Sequence, residues 1–190
     1  TEPLDLVSPG VRWRSSAGGV LSQDLVVDVN GDDTSDLITV EGGRVVARSA
    51  SGSVFWDTPN LLAEGAKVVE DFNGDGTKEI LVRRRNGVFL LSLEKGEILW
   101  ESELSLPVEQ IGSLLWDDLD NDGTLEILMA DQAMNASKPY LTGVVFVFGF
   151  AEGWGDGTPT FVTEEGTRDY EVGRTIRTTD LNEDGFKEIL

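Results

Sequence analysis

The stretch that decides the fold is Val68-Val-Glu-Asp71-Phe-Asn-Gly-Asp-Gly-Thr-Lys-Glu79-Ile-Leu-Val82, in which an acidic nonapeptide separates two short apolar runs. Runs this short, rich in β-branched residues and bounded by Gly, Asn and Asp, are typical of β-strands. The nonapeptide from Asp71 to Glu79 is therefore predicted to be a loop that joins two strands.

The same nonapeptide occurs four times in the 190-residue chain, and successive copies begin 43, 47 and 62 residues apart. A repeat of about this length is the size of one propeller blade. The longer third interval indicates an insertion, which we expect between Asp131 and Tyr140 or from Gly149 to Pro159. We call the four copies loop 1 (Asp28–Asp36), loop 2 (Asp71–Glu79), loop 3 (Asp118–Glu126) and loop 4 (Asp180–Glu188).

Two further strands are predicted after loops 1 and 2, the second of them ending in a tryptophan, and patterns of helical period are absent. Examples are Val45–Ala47 with Gly52–Trp56, Val88–Leu91 with Gly96–Trp100, and, at the N-terminus, Leu4–Val7 with Gly10–Trp13. We therefore predict an all-β fold, a β-propeller of four-stranded blades. The chain holds about four blades' worth of sequence and is either a small closed ring or a piece of a larger propeller. The predicted units are outer strands in 1–20, repeats in 21–62, 63–108 and 109–172 (with the insertion), and a partial repeat in 173–190.

The composition is strongly acidic, with 35 Asp and Glu against 15 Lys and Arg and a formal charge of −20. There is no histidine or cysteine, which excludes His-based triads, Cys nucleophiles and Cys/His zinc sites. An acidic surface repels nucleic acid and anionic lipids, and no apolar run approaches the roughly 20 residues of a spanning helix. We therefore expect neither nucleic-acid binding nor membrane insertion, and cations are the natural partners.

Each loop carries oxygen-bearing side chains at its positions 1, 3, 5 and 9, and such oxygens in a curled loop suit calcium, which takes 6 to 8 of them. Position 7 is expected to add its backbone carbonyl. An EF-hand is excluded because it needs a Glu at position 12 and flanking helices, whereas position 12 here is Thr39, Val82 or Met129. We therefore predict about four calcium ions per chain. The predicted ligands are Asp28, Asn30, Asp32, Thr34 and Asp36; Asp71, Asn73, Asp75, Thr77 and Glu79; Asp118, Asp120, Asp122, Thr124 and Glu126; and Asp180, Asn182, Asp184, Phe186 and Glu188.

Position 6 is expected to need a positive φ angle, which glycine adopts readily. Glycine occupies it in loops 2 to 4, whereas loop 1 has Asp33, so loop 1 is expected to be the weaker site. Loop 3 has four carboxylates and is expected to bind most strongly. Because an all-oxygen cage leaves no position open for a substrate, the ions are predicted to be structural rather than catalytic.

The pattern D-x-[DN]-x-D-G-x-x-[DE]-[IL] between short strands resembles the calcium loops of FG-GAP and VCBS-type repeats, which also build the propeller of integrin α subunits. The resemblance implies a calcium-binding β-propeller that acts outside the cell in adhesion or in binding a protein or glycan. Position 9 is mostly Glu rather than Asp, and no Phe-Gly…Gly-Ala-Pro signature precedes the loops. The Gly-x-x-x-Trp strands, such as Gly96–Trp100, are similar instead to quinoprotein-like propellers.

Two other functions remain open at this stage. The chain could be the propeller of an enzyme, either quinoprotein-like or a polysaccharide lyase that uses Tyr140, Tyr170, Arg168 or Arg174, although no catalytic constellation supports an enzyme. It could also be a structural repeat of a surface layer or filament, as part of a larger chain or assembly. The expected location is extracellular or on the cell surface, with the periplasm as an alternative.

A few residues outside the loops carry weaker signals. Trp13, Trp56 and Trp100 are expected to pack between blades, since they recur once per unit. Trp154, in a Gly-rich stretch, is the better candidate for an exposed contact. Asn135 begins a glycosylation sequon, and residues 83–85 form a short basic cluster.

Overall fold

The computed structural model describes residues 25–84, 87–102, 108–134, 141–150, 154, 157–162 and 176–190. Several sequence predictions lie outside these ranges: the outer strands in 1–20 with Trp13, the sequon at Asn135, Arg85, and the candidate residues Tyr140, Arg168, Tyr170 and Arg174.

The described residues form fourteen strands in four antiparallel sheets. The first sheet holds β1 (Val26–Val27), β2 (Asp36–Glu41), β3 (Arg44–Arg48) and β4 (Val54–Asp57). The second holds β5 (Ala63–Val68), β6 (Glu79–Arg84), β7 (Gly87–Ser92) and β8 (Ile98–Glu101). The third holds β9 (Val108–Asp117), β10 (Glu126–Met134), β11 (Leu141–Phe148) and β12 (Phe161–Val162). The fourth pairs β13 (Thr178–Thr179) with β14 (Glu188–Ile189).

Each of the first three sheets is a meander, in which strands pair in the order in which they occur in the chain. The prediction of an all-β chain built from four-stranded units is confirmed over the described ranges. No helix long and apolar enough to cross a membrane occurs among those residues.

Every acidic loop joins the first two strands of its sheet, as the flanking apolar runs predicted. Val27 pairs with Asp36 on the two sides of loop 1, and Asp117 pairs with Glu126 on the two sides of loop 3. Loop 2 is closed by the hydrogen bond from the Val69 amide to the Glu79 carbonyl at 2.9 Å. The strand ladder therefore holds both ends of each loop together.

Neighbouring sheets pack face to face. Successive side chains of a strand point to opposite faces of its sheet, so one strand can contribute to the cores on both sides. On β6, Ile80 and Val82 join a core shared with the first sheet, whereas Leu81 joins a core shared with the third. On β10, Met129 faces the second sheet and Leu128 faces the fourth. The second and third sheets are thus each buried on both faces.

Trp56 and Trp100 lie at the junctions between sheets, which confirms their predicted packing role. The Trp56 indole N–H donates to the Leu93 carbonyl of the second sheet at 3.0 Å. Its ring lies over Gly96, where an added Cβ would come within 2.4 Å of Trp56 Cε3. Trp100 is 5% exposed and meets the Phe148 ring edge to face at 5.2 Å.

The predicted insertion falls in the third sheet, where residues 149–160 connect β11 to β12. The equivalent connections in the first two sheets are the short turns 49–53 and 93–97. This connection lies within one of the two stretches in which the sequence placed the extra residues. The other stretch, between Asp131 and Tyr140, includes the end of β10 and continues into residues outside the described ranges.

Candidate metal centres

The aspartate at position 1 organises each loop by accepting hydrogen bonds from backbone amides inside it. In loop 2, Asp71 Oδ1 accepts from Gly74 at 2.7 Å and from Asp75 at 3.2 Å, while Asp71 Oδ2 accepts from Gly76 at 2.8 Å. These bonds require the chain to wrap around the carboxylate. The bonds from the amides of positions 5 and 6 recur at Asp28, Asp118 and Asp180.

Positions 3 and 5 add two further side chains to the same curl. Asn73 Oδ1 accepts from the Asp75 amide at 2.8 Å, and Asp75 Oδ1 accepts from the Thr77 amide at 2.8 Å. The same two bonds occur in the other three loops. All four loops therefore share one conformation, including loop 4, where Phe186 occupies position 7.

The tight curl depends on left-handed backbone at two positions of each loop. Position 6 has φ values of 63° at Asp33, 87° at Gly76, 89° at Gly123 and 93° at Gly185, as predicted. Position 4 is also left-handed, which the sequence analysis missed. Its residues are Gly31, Gly74, Asn121 and Glu183, with φ values of 75°, 73°, 60° and 62°. Gly31, Gly74 and Asn121 could have indicated this conformation from the sequence, since glycine and asparagine tolerate positive φ best.

The carboxylate at position 9 anchors the start of its own loop, and in loops 1 to 3 it is buried. Glu79 is 1% exposed, and its Oε2 accepts from the Phe72 amide at 2.7 Å. The equivalent bonds run from the amide of position 2 to Asp36, Glu126 and Glu188. Sequence reasoning identified position 9 as a ligand but not this second role.

Three carboxylates converge in loops 2 and 3. One oxygen each from Asp71, Asp75 and Glu79 lie within 4.8 Å of one another, and so do oxygens from Asp118, Asp120 and Glu126. In the described part of the chain these are the two places where three acidic side chains approach so closely. The structure places all twenty predicted ligand residues in their loops, and these two triplets are the ones that it brings together.

Burial and the charge of neighbouring aspartates make the glutamate of each triplet costly to ionise. The pKa of Glu79 rises to about 7, chiefly because the side chain is buried and also because Asp71 and Asp75 are charged, while the Phe72 amide opposes the rise. Burial likewise raises the pKa of Glu126, with Asp120, Asp122 and Asp118 adding to the effect. A cation at either triplet would relieve this repulsion.

The exposed aspartates at position 5 of loops 1 and 2 have pKa values that shift downward. A hydrogen bond from the Thr77 hydroxyl lowers the pKa of Asp75, and one from the Asn30 amide lowers the pKa of Asp32. Loops 1 and 2 therefore each combine an exposed aspartate of lowered pKa with a buried carboxylate at position 9. The donor set consists of hard oxygen atoms, which fits calcium or magnesium and does not fit zinc or copper.

Comparison with known families and structures agrees with these loops. Residues 71–129 match the family model described as FG-GAP-like repeat, and this span contains loops 2 and 3. The chain therefore carries an FG-GAP-like repeat, which confirms the resemblance seen in the sequence.

Among solved structures, the chain is similar to the V. cholerae biofilm matrix protein Bap1, with a TM-score of 0.57 and 23% sequence identity. The alignment covers 94% of this chain and 30% of the Bap1 chain, so this chain spans less than a third of that protein's length. At this identity the similarity concerns the fold. No curated protein sequence matches the chain.

Proposed function

We propose that the chain is a calcium-binding repeat module of an extracellular adhesion or matrix protein, in which the ions fasten the loops between first and second strands. The observation that carries the proposal is the carboxylate triplet of loop 2. Glu79, 1% exposed, lies with one carboxylate oxygen within 4.8 Å of oxygens of the less buried Asp71 and Asp75. Unless a cation binds between them, holding a buried carboxylate so close to two others is unfavourable.

Calcium suits these loops better than magnesium. Calcium accepts 6 to 8 oxygens at flexible distances, whereas magnesium demands near-octahedral geometry and keeps several waters. Each loop offers four side chains at positions 1, 3, 5 and 9, and the carbonyl of position 7 is the proposed fifth ligand. The proposed stoichiometry is about four ions per chain, with loop 3 the tightest site and loop 1 the weaker one.

We also propose that the sheets are blades of a β-propeller. Support comes from the order of the strands, since each of the first three sheets is a four-stranded meander. It also comes from the two cores that lie on opposite sides of the third sheet. One of these cores contains Leu81, and the other contains Leu128. Such a repeated arrangement of sheets is how propeller blades cover their faces.

The proposal of an extracellular, non-catalytic role rests on the repeat family and on chemistry. The FG-GAP-like repeat and the fold similarity to a biofilm matrix protein both support a module that works outside the cell. The loops have the all-oxygen donor set expected of structural ions, so we assign them no catalytic step.

Calcium titration of metal-stripped protein tests the proposal. We expect the melting temperature to rise as calcium is added and to fall again with EDTA, because a ligand that binds the native state stabilises it. Magnesium at the same concentration is expected to give a smaller rise. Calorimetry should count about four calcium ions per chain.

Matched variants separate the loops from the general acidity of the surface. Glu79→Gln and Glu126→Gln should each remove one strong site, whereas Glu94→Gln, an exposed turn residue outside every loop, should leave calcium binding unchanged. An equal response to calcium in all three variants, or no response in the unaltered chain, would contradict the proposal.

A further inference from the structure

A pocket of about 320 Å³ lies between loops 2 and 3, at the junction of the second and third sheets. One side is formed by Asp71, Asn73 and Gly74 of loop 2, and another by Gly123 and Thr124 of loop 3. Its volume is at the lower end of the range for small-molecule sites, about 300 to 1,000 Å³. The pocket is therefore large enough for one small ring.

The floor and wall of this pocket are aromatic. Phe72 and Phe150 are each 5% exposed and meet edge to face with ring centres 5.7 Å apart. Trp154, half-buried, packs against Phe150 at the same centroid distance of 5.7 Å. Phe72 therefore supports Phe150, and Phe150 supports the indole of Trp154, which offers an apolar surface to the pocket.

This aromatic wall is a specific addition to the third sheet. Phe150 and Trp154 both belong to residues 149–160, the long connection between β11 and β12. The equivalent turns 49–53 and 93–97 contain no aromatic residue. The first two sheets therefore form without such a wall, and in the third sheet Phe150 belongs to the core while half-buried Trp154 packs against its edge and also lines the pocket.

A polar group stands on the loop 3 side of the same pocket. The Thr124 hydroxyl makes no hydrogen bond within the described part of the chain, although the Thr124 amide donates to Asp122 at 2.7 Å. The equivalent hydroxyl in loop 2, that of Thr77, is used internally and donates to Asp75 at 2.5 Å. Thr124 can therefore donate to or accept from a bound molecule.

The surrounding charge limits which molecules fit. Loops 2 and 3 carry seven carboxylates, which outnumber the four positive charges of two bound calcium ions. The rim stays negative whether or not ions are bound, so it disfavours carboxylated and sulfated ligands. A molecule with an apolar face and an uncharged rim of hydroxyl groups complements both the indole and the polar side.

We propose that this pocket binds an uncharged sugar ring, with its C–H face against Trp154 and its hydroxyls toward Thr124 and Asn73. The inference rests on the proposed adhesion function and names its ligand class, an uncharged glycan. Shape and dispersion contacts hold the ring, and the polar side orients it.

The test is a binding titration of the calcium-loaded chain, followed by tryptophan fluorescence and by NMR of the sugar. The probes are neutral oligomers of glucose, galactose, mannose and N-acetylglucosamine, with oligogalacturonate as the anionic comparison. We expect saturable binding of at least one neutral oligomer and none of oligogalacturonate.

Variants assign the binding to the pocket. Trp154→Ala should weaken binding about tenfold or more, whereas Phe161→Ala, which removes an exposed aromatic of β12 outside the pocket, should leave it unchanged. Thr124→Val should weaken binding severalfold.

Three outcomes would overturn the inference: no binding of any neutral oligomer, stronger binding of oligogalacturonate, or equal affinity in Trp154→Ala. The calcium-dependent melting shift is measured on the same samples. A normal shift without sugar binding overturns the sugar site and leaves the calcium module standing, whereas loss of the shift itself counts against the proposed function.

Discussion

Lys187 of loop 4 donates a hydrogen bond from its ammonium group to Asp117 Oδ1, at the end of β9 in the third sheet, over 2.5 Å. Asp117 Oδ2 also accepts from the Thr178 hydroxyl on β13. The Lys187 amide in turn donates to the Leu119 carbonyl of loop 3 at 2.8 Å. One carboxylate thus connects β13 and loop 4 of the fourth sheet to the sheet before it.

Asp117→Asn should loosen the fourth sheet from the third. We expect a loss of about 1.5–3 kcal/mol in the free energy of unfolding, the usual range for hydrogen bonds to a charged group. Hydrogen exchange should show faster exchange of the Arg177 and Leu190 amides, which bond to each other's carbonyls, with little change in β6. Lys78→Met is the control, because the ion pair of Lys78 within the described ranges is with exposed Glu70, at 3.4 Å. Equal losses in the two variants would contradict this role of Asp117.

Acid should weaken the same connection. Burial alone would raise the pKa of Asp117, but the bonds from Lys187 and Thr178 outweigh it, and the pKa lies below the ordinary 3.8. Because the pKa of Asp117 is lower in the folded chain than the ordinary 3.8, its ionised carboxylate stabilises the fold above pH 3.8. This stabilisation is lost as the pH falls through the folded-state pKa. The stability difference between the unaltered chain and Asp117→Asn should therefore shrink below about pH 4 in urea unfolding.

Glu79 should couple calcium uptake to proton release near neutral pH. Its pKa of about 7 in the metal-free loop means that many molecules carry a proton there, and calcium must displace it. Calorimetry in two buffers of different ionisation enthalpy should detect this release at pH 6.5. Asp32→Asn is the control, because the pKa of Asp32 is lowered and that group holds no proton at this pH. A release that persists in Glu79→Gln would exclude Glu79 as the source.

Metal-free Glu79→Gln should be more stable than the unaltered chain at high pH. The pKa of Glu79 is raised from 4.5 to about 7 by folding, so the protonated side chain favours the folded state. This contribution to stability is fully present below pH 4.5 and is lost as the pH rises through 7. At pH 8 the glutamine variant, which never ionises, should gain on the order of 2 kcal/mol in EDTA. At pH 4 the two chains should unfold at nearly the same urea concentration.

Gly96→Ala should destabilise the junction of the first two sheets by about 2–4 kcal/mol, because its Cβ would clash with Trp56. Gly42→Ala is the matched control. Gly42 has φ of 59°, close to the 68° of Gly96, but an added Cβ there meets nothing within 4 Å. It should cost about 1 kcal/mol of backbone strain alone. Similar losses at both positions would mean that Trp56 does not press on Gly96.

Asp33→Gly should relieve the left-handed strain in loop 1. We expect a gain of about 0.5 kcal/mol in EDTA and tighter calcium binding at this loop. Asp33→Asn removes the same charge but keeps a side chain at φ 63°, so it isolates the electrostatic part. If the two variants behaved alike, charge rather than backbone shape would explain the weakness of loop 1.

The sequence predicted the strands and the loops because their signals are local. A nonapeptide that begins with Asp71 and ends with Glu79 between β-branched runs leaves few other conformations, and repetition fixes the unit length. The bond from the Phe72 amide to Glu79 could not be predicted, because it depends on how the closed loop places its two ends. The pocket beside Trp154 depends on the contact between Phe150 and Phe72, which lies in a loop of another sheet. No local sequence pattern predicts such a contact.

Ile80 and Leu81 on β6 point to opposite faces of the second sheet, and this limits how the number of repeats in such a protein can change. A segment running from one loop to the next carries one half of each of two buried interfaces. Duplication of that whole segment in the gene would give the new copy the surfaces that it needs on both sides, whereas loss of part of it would leave an apolar face uncovered. Gain or loss of a complete repeat therefore preserves the buried interfaces, whereas gain or loss of part of a repeat does not.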